Sequence, residues 1–315
     1  MPSAHRIDFH VHLIPPFYRD AVYEAGAGPA IGRYPDWSPE LALDLMDTSG
    51  IEVALLSLAQ PGVQFGEAAK AAALARRCND YTAELRAREP RRFGGFAVVP
   101  MWDMSEAVAE IAHALDELAL EGVCLFASYG ETFLGDADLD PVLEALNARD
   151  AVVFIHPALH PTSRKLALPW PGFMMEYLFD TTRAAVNLVF GGALDRFPRI
   201  RFVLAHAGGL IPYFAWRLSV SPMIDARMRQ WSRDDVYERL GRFWYDNALS
   251  PTAETLTCLE RVAMPERIVF GSDWPFANAK VIAEAVRTYE DVAMSQSQRS
   301  SIDRGNALAL FPHLA

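Results

Sequence analysis

The chain of 315 residues carries 51% apolar and 22% charged side chains, a balance that suits a packed core and excludes a disordered or fibrous protein. Twenty-nine Lys and Arg stand against forty Asp and Glu, a formal net charge of −11 with no basic cluster, so nucleic acid is not an expected partner. Met1–His12 has no apolar leader core and no run approaches ~18 apolar residues. The three cysteines, Cys78, Cys124 and Cys258, are odd in number and far apart, which suits small buried side chains better than disulfides. The expectation is a protein of the reducing cytoplasm that does not cross a membrane.

In chain order, a first β-prone run at Arg6–Val11 leads into a Pro-, Gly- and aromatic-rich connection, Leu13–Asp36. Ser38-Pro39-Glu40 then opens a predicted helix to Thr48, with the proline where a first helical turn tolerates it. Strand Ile51–Leu58, helix Glu67–Arg88, strand Phe93–Val99, helix Ser105–Leu120 and strand Gly122–Ala127 follow. Helix Leu139–Arg149, strand Ala151–Ile155 and a second long connection, Ala158–Glu176, come next. Helix Thr181–Phe197, strands Arg201–Ala205 and Arg242–Asp246, helix Ala253–Val262 and strand Arg267–Phe270 complete the pattern.

Most of the eight strand runs are almost continuously apolar, as expected of strands buried on both faces. Eight alternations of strand and helix point to an α/β chain closed into a (β/α)8 barrel, with residues 1–315 as one domain. The first strand leads into His10-Val11-His12-Leu13-Ile14-Pro15 and not into a glycine-rich phosphate loop, which argues against a nucleotide-binding open sheet. The insertions 13–36 and 158–176 would form lids on the carboxyl-terminal rim.

His10 and His12, two apart at the end of the first strand, fall on one face. A pair of strand histidines is more often structural, but three further residues alter the balance. His156 ends the fifth strand, His206 the sixth, and Asp273 follows the eighth. In a parallel barrel these ends converge on one mouth. Three imidazoles and a carboxylate suit zinc or a similar divalent ion with a position left open, the catalytic arrangement. The bland alternatives are a hydrogen-bonded core histidine for His206 and a helix cap for Asp273.

Asp8-Phe9-His10-Val11-His12, Phe154-Ile155-His156-Pro157, His206-Ala207-Gly208-Gly209 and Gly271-Ser272-Asp273-Trp274-Pro275-Phe276 carry a family resemblance over nearly the whole chain. The sequence resembles the metal-dependent amidohydrolase superfamily, and within it the aminocarboxymuconate-semialdehyde and o-hydroxybenzoate decarboxylases. By position, the resemblance implies His10, His12, His156 and Asp273 as metal ligands. It makes His206 the non-ligand histidine that activates or orients a catalytic water. Phe126-Ala127-Ser128-Tyr129 has no lysine at the end of the fourth strand, so one metal is implied, zinc first and manganese second, with no organic cofactor.

Arg217 matches an arginine that reaches a substrate carboxylate across a dimer interface, which implies a homodimer or a higher homo-oligomer; a solvated helix arginine is the alternative. The helix around Leu41-Ala42-Leu43-Asp44-Leu45-Met46-Asp47 lacks a second such arginine, which makes a dicarboxylate substrate less expected. Leu58-Ala59-Gln60-Pro61-Gly62-Val63, Ser128-Tyr129-Gly130 and Phe179-Asp180-Thr181-Thr182-Arg183 look closest to 6-methylsalicylate decarboxylase-like members.

The implied activity is loss of CO2 from a salicylate-like acid, with His206 and Asp273 as catalytic residues. The proton donor is Asp273 or a water held by His206. Hydrolysis of a lactone, amide or carbon–carbon bond on the same site is the alternative, and a barrel that has lost activity and serves in binding is a third. Ser57, Trp102, Tyr129 and His160 follow strand ends and are candidate substrate contacts, with packing as their other role. Asp180 and Arg183, three apart on a predicted helix, are expected to form a structural ion pair. The lid aromatics Phe17, Tyr18, Tyr34, Trp37, Trp170 and Phe173 would either wall an aromatic ligand or pack the lids.

Overall fold

The computed structural model describes residues 5–166 and 168–315. Met1–Ala4 and Ala167 of the second predicted lid lie outside the described residues.

Eight parallel strands form one sheet in chain order. They are β1 (Arg6–His12), β2 (Ile51–Ser57), β3 (Phe93–Val98), β4 (Gly122–Phe126), β5 (Val152–His156), β6 (Arg201–Leu204), β7 (Trp244–Asp246) and β8 (Ile268–Val269). The sheet returns on itself where the Phe9 amide donates to the Phe270 carbonyl at 2.9 Å and the His12 amide to the Trp274 carbonyl at 2.7 Å. Helices cover the outside, so each strand meets apolar neighbours on both faces. In β5, Val153 and Ile155 pack under the helices while Val152 and Phe154 fill the barrel interior. That two-sided burial is why the strands read as unbroken apolar runs.

The interior is closed at its amino-terminal end by aromatic rings. Phe9 and Phe96 lie 5.7 Å apart between centroids, and Phe96 and Phe154 lie 5.6 Å apart. Phe311, beyond the helix Asn306–Leu310, stacks on Phe9 at 5.7 Å, so the carboxyl terminus seals the floor. β1 is irregular: its pairing with β2 shifts between Asp8 and Val11. Phe9 packs on the floor and His10 lies edge-on to Phe154 at 5.0 Å, so two consecutive residues face inward. A bulge of this kind re-aims side chains at a barrel rim, here lifting His10 and His12 into the mouth.

Several expected elements shift. The helix expected at Thr181–Phe197 begins at Phe173, inside the predicted second lid, and breaks at Gly191–Gly192 before a short turn Ala193–Arg196. Ser105–Leu120 divides into an α-helix, Met104–Ala112, and a wider turn, His113–Glu117. The first lid contains the helix Pro16–Glu24. Cys78 and Cys124 are buried as expected, but Cys258 is half-buried. Asp180 and Arg183 do not pair: Asp180 accepts from the Ser128 hydroxyl at 2.9 Å and the Ala158 amide at 2.8 Å, while exposed Arg183 lies over the Phe179 ring. Two strong donors already occupy the carboxylate, so the helical neighbour has no role to fill. Among the described residues no helix is long and apolar enough to cross a membrane.

Candidate active site

Four side chains converge at the carboxyl-terminal mouth. One ligand atom from each of His10, His12, His156 and Asp273 lies within 4.8 Å of every other, and all four residues are buried. Parallel strands create this convergence, because every β-strand delivers its last residue to the same rim.

Each imidazole is held from behind. His10 Nδ1 lies 2.8 Å from Asp246 Oδ2, and His156 Nδ1 lies 2.8 Å from the Pro157 carbonyl oxygen. Those partners accept, so both rings donate through Nδ1 and turn Nε2 toward the centre. His12 Nδ1 lies 3.2 Å from Ser57 Oγ, whose own hydroxyl donates to the Val11 carbonyl at 3.3 Å and leaves the oxygen free to accept.

The inward atoms crowd together. His10 Nε2 and His12 Nε2 are 3.1 Å apart, and Asp273 Oδ1 lies 3.2 Å from the second and 3.4 Å from the first. Opposed lone pairs at that distance repel unless a proton or a cation separates them. Burial disfavours a proton on His10, but the carboxylates of Asp246 and Asp273 outweigh it and raise that imidazole to about 10. The same two carboxylates favour a divalent ion in the proton's place. Burial lowers His12, and burial together with the neighbouring histidines puts His156 well below the ordinary imidazole range, leaving neutral ligands. Burial would raise Asp273, yet His10 charge and hydrogen bonds from His10, His12 and His206 hold it well below the usual carboxylate range. Three nitrogens and one carboxylate oxygen therefore fit a single divalent ion.

His206 stands on the other side of Asp273, with Nε2 3.3 Å from Oδ2. Its backbone amide donates to Asp246 Oδ1 at 2.8 Å, so Asp246 fixes two site histidines at once. His206, Ala207 and Asp273 all adopt left-handed backbone angles, with φ of 54°, 54° and 66°. Such angles are costly outside glycine and persist where surrounding structure enforces them. The glycines of His206-Ala207-Gly208-Gly209 have a steric reason as well. A Cβ on Gly208 would fall 2.6 Å from the Tyr245 ring, and one on Gly209 would fall 2.4 Å from the Leu178 carbonyl oxygen.

A cavity of about 380 Å3 opens onto this cluster. Ile31, Phe173, Leu249, Phe276 and Val281 supply much of its apolar wall, and Gln60, Tyr177, Ser250, His156, His206 and Asp273 bring polar groups. Among the described residues no lysine or arginine lines it.

The expected substrate contacts fare differently from the metal cluster, since none of the five lines this cavity. Ser57 sits behind His12. Trp102 is 46% exposed on the turn after β3. The Tyr129 hydroxyl accepts the Phe126 amide at 2.9 Å and belongs to a small hairpin, Ser128–Tyr129 with Thr132–Phe133. His160 stacks on Phe133 at 4.9 Å and holds Thr162 through Nδ1 at 2.8 Å. Arg217 is exposed on the outer helix Ile211–Ile224. Of the lid aromatics, Phe173 alone lines the cavity; the Tyr34 hydroxyl donates to Tyr18, and Phe17 and Trp37 pack on Tyr81.

Sequence reasoning passed over Asp246, Gln60 and Tyr177. Asp246 had a usable signal, a carboxylate at a strand end. Gln60 stood in the Leu58–Val63 motif just past the second strand but was given no role, and Tyr177 had no signal, because it comes from a helix whose approach only folding sets.

With this geometry in place, comparison with known proteins is informative. The amidohydrolase family pattern matches residues 7–313, and the chain belongs to that family. It is 36% identical over 314 residues to a 6-methylsalicylic acid decarboxylase of Penicillium expansum, covering 98% of this chain and 97% of that one. A 6-methylsalicylic acid decarboxylase of Aspergillus aculeatus is 37% identical over 321 residues, covering 98% and 96%. Among solved structures, the dihydroxybenzoic acid decarboxylase of a Polaromonas species, with bound manganese and the inhibitor 2-nitroresorcinol, superposes with a TM-score of 0.84 at 25% identity, covering 98% and 97%.

Proposed function

We propose that the chain is a metal-dependent, non-oxidative decarboxylase, a carboxy-lyase that releases CO2 from a small hydroxylated aromatic acid of the salicylate kind. The observation that carries this reading is one cation-ready cluster opening into a largely apolar cavity that has space for a single substituted ring. The full-length likeness to aromatic-acid decarboxylases selects lyase chemistry over hydrolysis, a choice that fold and ligands alone leave open. The family match over 7–313 supports reading 1–315 as one barrel domain.

His10, His12, His156 and Asp273 would hold the ion, which supplies positive charge to neutralise and orient the anionic oxygens of the acid. The donor set makes zinc the first candidate, and the manganese of the Polaromonas relative makes that metal the second. The protein's own task is to deliver a proton to the ring carbon bearing the carboxylate. Asp273 and His206 both line the cavity with polar atoms 3.3 Å apart, so proton delivery falls to that pair, directly or through a water between them and the ring. As the new C–H bond forms, the ring loses aromaticity; the C–C bond to the carboxylate then breaks, its electrons restore the ring and CO2 departs. The apolar wall limits competing water and fixes the ring face.

Arg217 is assigned to a second copy of the chain. Its helix exposes Tyr213 by 80%, Trp216 by 63%, Met223 by 77% and Ile224 by 81%, an apolar face that supports a homodimer in which Arg217 approaches the partner's acid. The reducing cytoplasm remains the proposed location. The test of the whole reading is CO2 release from a panel of o-hydroxybenzoates, beginning with 6-methylsalicylate, on protein stripped by chelator and reloaded with zinc or manganese. Release with the matching phenol, dependent on reloading, supports it; no release from any member with metal in the site turns the assignment to hydrolysis, with lactones as the next panel.

A further inference from the structure

The cavity contains a donor that neither the cluster nor the Asp273–His206 pair accounts for. Gln60 lies in the loop after β2 and lines the cavity. Its Oε1 accepts two hydrogen bonds, from the Leu159 backbone amide at 2.9 Å and from the Tyr177 hydroxyl at 3.1 Å. A backbone amide is an obligate donor, so the atom facing Leu159 has to be the oxygen, and the amide group has one orientation only. The opposite end, Nε2, has no partner among the described residues and is the free end of a side chain already fixed at Oε1. Tyr177 is itself held, with its ring packed edge-on to His156 at 5.8 Å, on the helix Phe173–Phe190. A loop from one side of the mouth and a helix from the other thus lock a neutral donor beside the metal cluster.

Resting on the decarboxylase reading, we infer that Gln60 is a substrate-positioning residue whose Nε2 donates to an anionic oxygen of the o-hydroxybenzoate, with Tyr177 and Leu159 as its supports. The chemistry favours that partner. No lysine or arginine of the described residues lines the cavity; beyond the cluster and His206 its polar lining is Gln60, Tyr177 and Ser250, and of these Gln60 carries the amide donor, held in place with the Tyr177 hydroxyl already turned to Gln60 Oε1. An anionic oxygen gains a charge-assisted hydrogen bond from a donor that needs no ordering when the acid enters.

Gln60→Glu is the direct test. It preserves size and the acceptor for Leu159 and Tyr177, and replaces the donor with an acceptor. On metal-loaded protein with 6-methylsalicylate as probe, we expect KM to rise about tenfold or more, as for loss of a hydrogen bond to a charged group, with bound metal and melting temperature preserved. Tyr177→Phe loosens the support but leaves the Leu159 bond, and should raise KM roughly two- to tenfold with a smaller change in kcat. Gln60→Met removes the donor without adding charge and should also raise KM, which separates the lost bond from simple repulsion.

Benzoate as a competitive inhibitor apportions the contact. If Gln60→Glu weakens benzoate as much as the substrate, the carboxylate is the partner; if benzoate is unaffected or does not bind the wild type, the phenolic oxygen is. Unchanged KM in Gln60→Glu and Gln60→Met, in a wild type that releases CO2, overturns the Gln60 assignment and leaves the decarboxylase reading intact. A metal-loaded wild type that releases no CO2 from any acid overturns the reading and the assignment with it.

Discussion

The two ends of the barrel interior are built from the same strands and differ in almost every physical respect. At the floor, Phe9, Phe96, Phe154 and Phe311 fill the space ring against ring. One to three residues further along β1 and β5, His10, His12 and His156 replace them. The floor is apolar and unstrained, and its role is burial. The mouth is polar and crowded, the imidazoles of His10, His12 and His156 are each braced at Nδ1, and two of its key residues, His206 and Asp273, adopt left-handed backbone angles. A barrel can concentrate strain and unpaired lone pairs at one end because the packed floor and helical layer stabilise the whole.

Breaking the mouth should abolish chemistry without unfolding the chain. The largest effect is expected from His12→Ala, which removes an inward nitrogen: metal content measured by elemental analysis and CO2 release should fall together to background. Next is His206→Ala. Bound metal should stay stoichiometric while kcat drops by roughly 100- to 10,000-fold, the contribution of a positioned acid or base; loss of metal in this variant would instead make His206 a ligand. Asp246→Ala tests the brace. It frees His10 Nδ1 and the His206 amide together, so metal affinity in a competition titration should weaken about 10- to 100-fold, as for other partners behind a ligand.

The floor should give the opposite signature. Phe96→Ala removes a ring that touches three others and should cost about 3–5 kcal/mol of unfolding free energy in denaturant, while the folded fraction keeps its metal and KM. Altered metal affinity there would show that floor and mouth are energetically coupled. The smallest effect is expected from Arg217→Ala, with a raised KM or lowered kcat at constant metal content. Mixing that variant with His206→Ala should restore part of the activity if each dimer rebuilds one complete site; no recovery from verified heterodimers would return Arg217 to the solvent.

Much of this was legible in the residues, for identifiable reasons. The eight strands emerge because burial on both faces leaves unbroken apolar runs, and their observed limits fall within two residues of the expected ones. His10, His12, His156, His206 and Asp273 emerge because parallel strand ends place short-range sequence positions at one rim. The lining of the cavity was less legible. Tyr129 and His160 follow strand ends as the ligands do, but a local hairpin and a stacked phenylalanine claim their side chains.

By itself, then, the sequence determined the barrel and the convergence of the cation-ready residues, because periodic burial and strand-end position are local properties of the chain, and its short motifs carried the family resemblance. Tertiary structure alone decided which groups brace them and which line the cavity. Asp246 reaches His10 across 236 positions and Gln60 meets Tyr177 across 117, distances in sequence over which no local pattern carries information. The bulge in β1 that turns both Phe9 and His10 inward is of the same kind, since it arises where β1 pairs with β2 and not within its own seven residues.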